Sequence, residues 1–410
     1  MSREVWRHVT FAEAVDINPK RSLQAGTVVP YVEMAAVPAE GATIGYLLER
    51  QAGGGGAKFQ NGDTLFARIT PCAENGKAAF VDCLPVGAHG LGSTELIVFG
   101  PKPELTHPEY VYHLATSELV RGPAISQMVG TTGRARVPNT VFDEITIPLP
   151  PIHEQRRIAE ILSSVDAAIA ATRAVIEQTR KVRSEVLSTS FPENQAAGPS
   201  TADDTFEGWS VEPASSICES IIDCKNRTPP VTEDGYAVVR TPNVRNGRFR
   251  YEGLQFTDRQ GFQEWTAKGM PRAGDILFTR EAPYGEVCMA PAMAFCLGQR
   301  MMFLRPDTSR VSSDFLLYAL QSGPVKKEML RRAGGSTVGH LRVGDVRELP
   351  IPVAPRDVQV RLTSTLRSLD EALYGNEESL SRLEDCKSAL MSDLLTGRKR
   401  VIDALLMAAE

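Results

Sequence analysis

The chain repeats itself at long range, and that constrains its fold more than any other feature. The stretch Ile147-Pro148-Leu149-Pro150-Pro151-Ile152-His153-Glu154-Gln155 returns as Ile351-Pro352-Val353-Ala354-Pro355-Arg356-Asp357-Val358-Gln359, 204 positions later. The same offset holds without a gap from about Val111/Phe315 to Phe191/Leu395. Upstream, Gly62-Asp63-Thr64-Leu65-Phe66-Ala67-Arg68 is echoed by Gly274-Asp275-Ile276-Leu277-Phe278-Thr279-Arg280, and each half opens on a tryptophan, Trp6 and Trp209. A unit of about 200 residues is far longer than a solenoid repeat, so it reads as duplication of a whole domain. Two similar units on one chain can engage a target in two separate pieces.

Composition narrows the class. With 410 residues, 42% of them hydrophobic, two or more cores are expected. No window approaches 18 uninterrupted apolar residues, which predicts no membrane span. The N-terminus lacks the apolar core of a signal peptide, so the cytoplasm is the expected compartment. Seven scattered cysteines include no Cys-x-x-Cys pair, and Cys218 and Cys224 read as buried reduced thiols. A formal net charge of −5 argues against a wholly basic nucleic-acid binder but leaves room for locally basic faces.

Each half starts β-rich and ends helical. Thr64–Ile69, Ala78–Val81 and Glu95–Phe99 are short β-prone runs separated by Gly, Pro and Asn turns, and Ala237–Arg240, Ile276–Thr279 and Met301–Leu304 match them. Helical patterns follow around Tyr110–Val120 and Phe315–Leu320. The run Gly53-Gly54-Gly55-Gly56 lacks the Gly-Lys-Ser/Thr ending of a phosphate loop and is expected to be a hairpin tip.

After each Pro-rich turn, apolar residues recur in alternating steps of four and three. The first stripe is Ile158, Leu162, Val165, Ile169, Thr172, Ile176, Thr179, Arg183, Val186, and the second is Leu362, Leu366, Leu369, Leu373, Asn376, Leu380, Leu383, Lys387, Leu390. This is the seam spacing of a coiled coil over about four heptads. A helix lying on its own domain is the alternative, but a narrow stripe in one register in both copies favours pairing. Because a domain intervenes, the pair should run antiparallel, with Leu162, Val165, Ile169 and Ile176 facing Leu366, Leu369, Leu373, Leu380 and Leu383. About 38 residues from His153 to Ser190 would span roughly 57 Å. The fold class is therefore α+β: β-rich domains at 1–150 and 209–354, long helices at 151–191 and 355–396, a polar linker at 192–208 and a tail at 397–410.

At this point the residues resemble a known family. Gly-Asp-x-Leu-Phe-x-Arg in each half, Gly92-Ser93-Thr94-Glu95, Gly298-Gln299-Arg300 before Leu304-Arg305-Pro306, the run Pro148–Ala159 and the ending Leu394-Leu395-Thr396-Gly397 together are similar to the specificity subunit of type I restriction–modification systems. The resemblance covers essentially the whole chain. It implies two target-recognition domains, each reading half of a split double-stranded DNA target. It also implies two helical regions that dock methyltransferase subunits, expected to number two, and, where a nuclease joins, restriction or translocase subunits. The chain itself would bind no cofactor; S-adenosylmethionine, with ATP and Mg²⁺ if a nuclease joins, would sit on the partners. The second half departs from the pattern: residues 352–359 replace the Pro-Pro and Glu-Gln elements, and Gly335-Ser336-Thr337 stands where the first half has Gly130-Thr131-Thr132.

Missing chemistry points the same way. There is no Asn/Asp-Pro-Pro-Tyr/Phe methylation motif, no Gly-rich cofactor loop and no Walker motif, and the six histidines have no metal-ligand spacing. DNA recognition needs cations for phosphates and planar polar groups for base edges. The strongest candidate run is residues 240–250, with Arg240, Asn243, Arg245 and Arg248, preceded by Lys225 and Arg227. The first half offers Lys20, Arg21, Arg68, Thr70, Lys77, Arg134 and Arg136, and Arg280 is the repeat of Arg68. For Arg68 and Arg280 a structural ion pair to Asp63 or Asp275 is the competing role. Two other functions remain open on sequence alone: an autonomous methyltransferase or nuclease with an unrecognised site, and a coiled-coil interaction protein with no DNA role.

Overall fold

The computed structural model describes residues 5–53, 55–131, 133–192, 206–334 and 339–401. The polar stretch 193–205 and Gly335-Ser336-Thr337 lie outside them. The chain divides into two compact units, Met1–Val175 with Asn376–Glu410, and Ile176–Gly375. The division read from the sequence follows chain order, whereas the units cut through both long helices. Each unit thus owns one β-rich domain, the part of one helix adjoining it, and part of the other helix.

In the first unit, one four-stranded sheet runs in the order Val15–Ile17, Leu96–Pro101, Thr64–Ala67, Ala78–Phe80, and a second in the order Leu48–Gln51, Val28–Val32, His89–Gly92, Ala57–Gln60. Thr64–Ala67 is buried throughout, and strand alternation explains why. Leu65 and Ala67 point into a core shared with Val32 and Phe59 of the second sheet, while Phe66 points into another shared with Tyr110, Val111 and Leu114. The second unit repeats the scheme. Leu277 and Phe303 join the core holding Val239 and Phe295, while Ile276, Phe278 and Leu304 join the one holding Phe315 and Leu316. Central strands covered on both faces read as continuous apolar runs, which is why they were legible.

The glycine run connects Leu48–Gln51 to Ala57–Gln60, strands at opposite edges of one sheet. It is a crossing loop, not the hairpin tip expected from composition. Ordering those strands needed long-range pairing that local turn signals do not carry.

The long helices run Ile152–Thr189 and Arg356–Leu394. Within the first unit they pack antiparallel: Lys387 meets Asp166 at 2.6 Å and Arg173 meets Glu384 at 2.6 Å, one number rising as the other falls. Within the second unit Arg183 meets Asp370 at 2.5 Å, and Leu187 shares a core with Leu366, Leu362 and Val358. Leu162, Ile169, Ile176, Leu366 and Leu373 are buried; Val165, Leu369, Leu380 and Leu383 are half-buried. Polar seam positions Arg183 and Lys387 each find an aspartate on the other helix, so they complete the seam instead of interrupting it.

The helix entries are held by the repeated glutamines. Gln155 Nε2 donates to the Leu105 and Pro150 carbonyls, both at 2.9 Å, and its Oε1 accepts from His107 N at 2.9 Å. Gln359 makes the equivalent set with Arg310, Ala354 and Ser312. Both amides are buried, so three satisfied hydrogen bonds fix each helix start to the loop before the preceding short helix.

Candidate nucleic-acid interface

Strand direction collects the loops after the central strands at one end of each domain. Val28–Val32 and His89–Gly92 are parallel and finish together, with Val32 opposite Gly92. Leu48 and Ala57 begin at that same end, opposite Tyr31 and Gly92. Thr64–Ala67 also finishes there, opposite Leu96. The second unit repeats this: Val239 lies opposite Leu297, Gln255 opposite Val238, and Thr279 opposite Met301. One end of each domain therefore presents the loops after the central strands. In the first unit these are residues 33–47, 68–77, 93–95 and 133–137. In the second they are 224–230, 240–254, 281–283, 298–300 and 339–341.

Most sequence-predicted site residues fall on this end, in varied environments. Arg68 donates to Val137 O at 2.9 Å and Lys77 to Met34 O at 2.9 Å, while Thr70 Oγ1 donates to Glu74 at 3.0 Å. Arg136 grips Glu95 with two bonds, 2.8 and 2.7 Å, and this pairing holds the Glu95 carboxyl below its ordinary range against its partial burial. Arg134 is exposed. In the second unit Lys225 and Arg227 both meet Glu264 and lie over Trp265, at 4.8 and 5.0 Å from its ring centroid. Their bonds hold the Glu264 carboxyl low. Arg240 donates to Gly253 O at 3.2 Å, and Arg280 is buried 3.1 Å from Asp223. One nitrogen on each of Arg68, Arg240 and Arg245 is buried without a hydrogen-bond partner, while Arg280 Nε faces Asp223.

Three candidates take other roles. Asn243 is fully buried, accepts from Arg240 N and donates to the Arg250 and Glu252 carbonyls; it shapes the loop and presents nothing to a base. Arg248 donates to Asp370 O at 3.1 Å and lies 5.3 Å from the Tyr374 ring, tying its hairpin to the second long helix. Arg21 turns back from Asn18 to the opposite end of its domain, where it meets Asp63 at 2.6 Å and Lys58 O at 3.2 Å. Lys20, its exposed chain neighbour, goes with it. The pairing imagined for Asp63 and Asp275 is thus real, but the partners are Arg21 and Arg305, not Arg68 and Arg280. Sequence separation hides such partners, because only the fold brings residue 305 beside 275.

Sequence reading overlooked Glu33, Tyr46 and Tyr251 on this end, and Gln299, which donates to Asn226 O at 3.2 Å. Gln299 stood in a motif already singled out; the others carry no local signal. Among the described residues no group of three or more His, Cys, Asp or Glu could hold a metal ion, and no helix is long and apolar enough to cross a membrane.

Comparison with known proteins agrees with this layout. The model of the type I restriction–modification DNA specificity domain matches twice, at residues 18–179 and 207–384. The specificity subunit of the type I restriction enzyme MjaVIII from Methanocaldococcus jannaschii is 24% identical over 329 residues, covering 77% of this chain and 76% of that one. The EcoAI specificity subunit of Escherichia coli is 42% identical over 100 residues, 24% of this chain and 17% of that one. Among solved structures, the type I S subunit from M. genitalium superposes with a TM-score of 0.62 at 14% identity, covering 96% and 97% of the two chains. A chain from a type I system solved to follow complex assembly and conformational transition gives 0.56 at 20% identity, covering 96% and 98%.

Proposed function

The chain belongs to the family of type I restriction–modification DNA specificity proteins, non-catalytic subunits that recognise the DNA target, and from that premise we propose how it reads that target. Each compact unit reads one half of a bipartite double-stranded sequence with the loop-bearing end of its β-rich domain. The observation that carries this is the duplication of that end, with the same strands delivering different side chains. Exposed Arg134 and Arg227, together with half-buried Arg68, Arg240 and Arg245, supply donors for phosphates and base edges. The long helices dock methyltransferase subunits, two per chain, and a restriction subunit can join them. S-adenosylmethionine, and ATP with Mg²⁺ where a nuclease is present, belong to those partners, and the complex acts in the cytoplasm.

Exchange of residues 209–354 for another recognition domain tests the reading. Mapping of methylated bases should show one half-site changed and the other kept. A change in both halves would sink the proposal of one half-site per unit.

A further inference from the structure

We propose that Tyr46 and Tyr251 are equivalent aromatic contacts that wedge against a base step, one in each half of the DNA target. The proposal rests on the DNA-reading assignment above and adds to it a residue and a mode of contact.

Of the nine tyrosines, only Tyr46, Tyr251 and Tyr374 are exposed. Tyr374 lies on the second long helix under the Arg248 guanidinium. The other two occupy the same place in the two domains. Each lies in the connection between a short 3-10 helix (Met34–Ala36 or Thr241–Asn243) and the edge strand beside the central one, immediately after the small hairpin Val244–Phe249 in the second unit. That strand is Leu48–Gln51 against Val28–Val32 in the first unit, and Gln255–Thr257 against Tyr236–Val239 in the second. The turn opens on the end that carries the reading loops. Tyr46 is 44% exposed and Tyr251 62%.

Both turns are anchored from one topological position, the first residue after the central strand. In the first unit this is Glu33, whose carboxylate accepts the Tyr46 hydroxyl at 2.6 Å; that bond raises the Tyr46 pKa. In the second it is Arg240, which donates to Gly253 O at 3.2 Å. Phe249 meets the Tyr251 ring edge-on at 4.9 Å and 72°, and the Arg250 amide donates to Asn243 O at 2.8 Å. Opposite charges at the anchor therefore do the same work by different bonds, while the outward ring is the shared product. A ring held out this way costs apolar exposure in the free protein and avoids most of the ordering cost on binding. Beside it stand Leu47 and Leu48 in the first unit, both exposed, and exposed Arg250 in the second. In both units an exposed apolar wedge suits a duplex, where unstacking a step is offset by ring contact, with phosphate attraction added by Arg250 in the second.

The test uses the full chain assembled with its methyltransferase subunits and duplexes carrying 2-aminopurine at successive positions of each mapped half-site. The wild-type complex should raise fluorescence at one step per half-site. Tyr251→Ala should abolish that rise in the second unit's half-site alone and weaken binding about ten- to a hundredfold; Tyr46→Ala should do the same in the other. Tyr251→Phe should keep both signals, since the ring is what acts, while Tyr46→Phe also loses the bond to Glu33 and should keep the fluorescence rise at reduced affinity. The unaffected half-site shows that each variant is folded. Wild-type fluorescence and affinity in the alanine variants overturn the proposal, as does Tyr251→Phe behaving like Tyr251→Ala, which would assign the hydroxyl instead. Loss of methyltransferase capture with DNA binding intact would assign the patch to a protein and also overturn it. A wild-type complex that ignores the bipartite duplex would instead overturn the DNA-reading assignment itself.

Discussion

The two units differ most where they look most alike. Along the helices the same residues do the same work: Asp166 with Lys387 and Asp370 with Arg183 are one ion pair seen twice, each member 204 positions from its counterpart. In the β-rich domains the same requirement is met from different places. Asp63 and Asp275 each cap a tight turn, accepting from Gln60 N at 2.7 Å and Arg272 N at 2.8 Å. Both carboxylates are buried and need a cation. In the second unit Arg305 supplies it from the neighbouring strand, with bonds of 2.8 Å. In the first, the register-equivalent position is Gly100, and Arg21 arrives from a loop to fill the space. The lesson is that burial of a charge fixes the need for a partner, not the partner's address.

A second asymmetry lies at the first helix entry. Glu154 is buried, accepts Trp6 Nε1 at 2.9 Å and grips Arg400 through two 2.7 Å bonds. Gly397, at φ 74°, lets the Trp6 ring lie where a Cβ would sit 2.9 Å from it. The counterpart of Glu154 is Val358, partly buried against an apolar cluster, while Trp209 packs on Phe191 and Phe315 instead.

This comparison predicts its largest effect at Glu154. Glu154→Ala should destabilise the first unit by about 3 kcal/mol, because the partly buried Arg400 guanidinium and the Trp6 indole N–H both lose their acceptor. Val358→Ala should cost only about 1 kcal/mol of packing. Denaturant unfolding read by hydrogen exchange at residues 395–401 separates the two; equal losses would erase the asymmetry. Next, Arg21→Ala and Arg305→Ala should each cost about 3 kcal/mol by stranding a buried aspartate. Adding Gly100→Arg to Arg21→Ala should recover part of the loss, provided Pro19, whose Cγ lies 3.1 Å from a Cβ there, gives way. No recovery in unfolding midpoints would mean that the loop arginine does more than balance charge.

A smaller effect concerns His113, which occupies beside Asp166 the place Tyr318 takes beside Asp370. Tyr318 donates to Asp370 at 2.9 Å, whereas His113 Nδ1 stands 3.9 Å from Asp166. Burial, and then the Lys387 charge, push the His113 pKa down to about 3 from an ordinary 6.5. Between those values the unfolded chain holds a proton that the folded one refuses. Stability should therefore fall as pH drops below about 6.5, by up to about 1.4 kcal/mol per unit. His113→Gln should flatten that slope in pH-dependent unfolding; an unchanged slope would mean His113 is protonated in the fold. The smallest effect is Arg183→Lys, about 1 kcal/mol or less, since only the guanidinium reaches both Asp370 and Gln321, the latter at 2.7 Å. Lys387→Arg should be near neutral, and matching losses would show the pairs to be interchangeable.

The duplication, the long helices and the central strands were legible because they rest on periodicity and self-similarity. Leu162, Leu366 and Leu373 repeat at seam spacing and are each buried, Leu162 in the core of the first unit and Leu366 in that of the second. Gln155 and Gln359 repeat because a helix entry needs its carbonyls and amides satisfied in one fixed way. The candidate site was legible only as composition. Arg134 and Arg227 are exposed on the loop-bearing end, but Arg21, Asn243 and Arg248 could not be told from them by residue type.

By itself the sequence determined that this protein is built twice, with a β-rich domain and a paired helix in each copy, because hydrophobic spacing and turn chemistry are local quantities. Only the tertiary structure decided which arginines are available to a ligand and which are consumed by a buried aspartate, a loop carbonyl or a helix. That choice depends on what the chain brings within 3 Å of each guanidinium. Strand register and loop path settle it across hundreds of residues, beyond the reach of any local pattern.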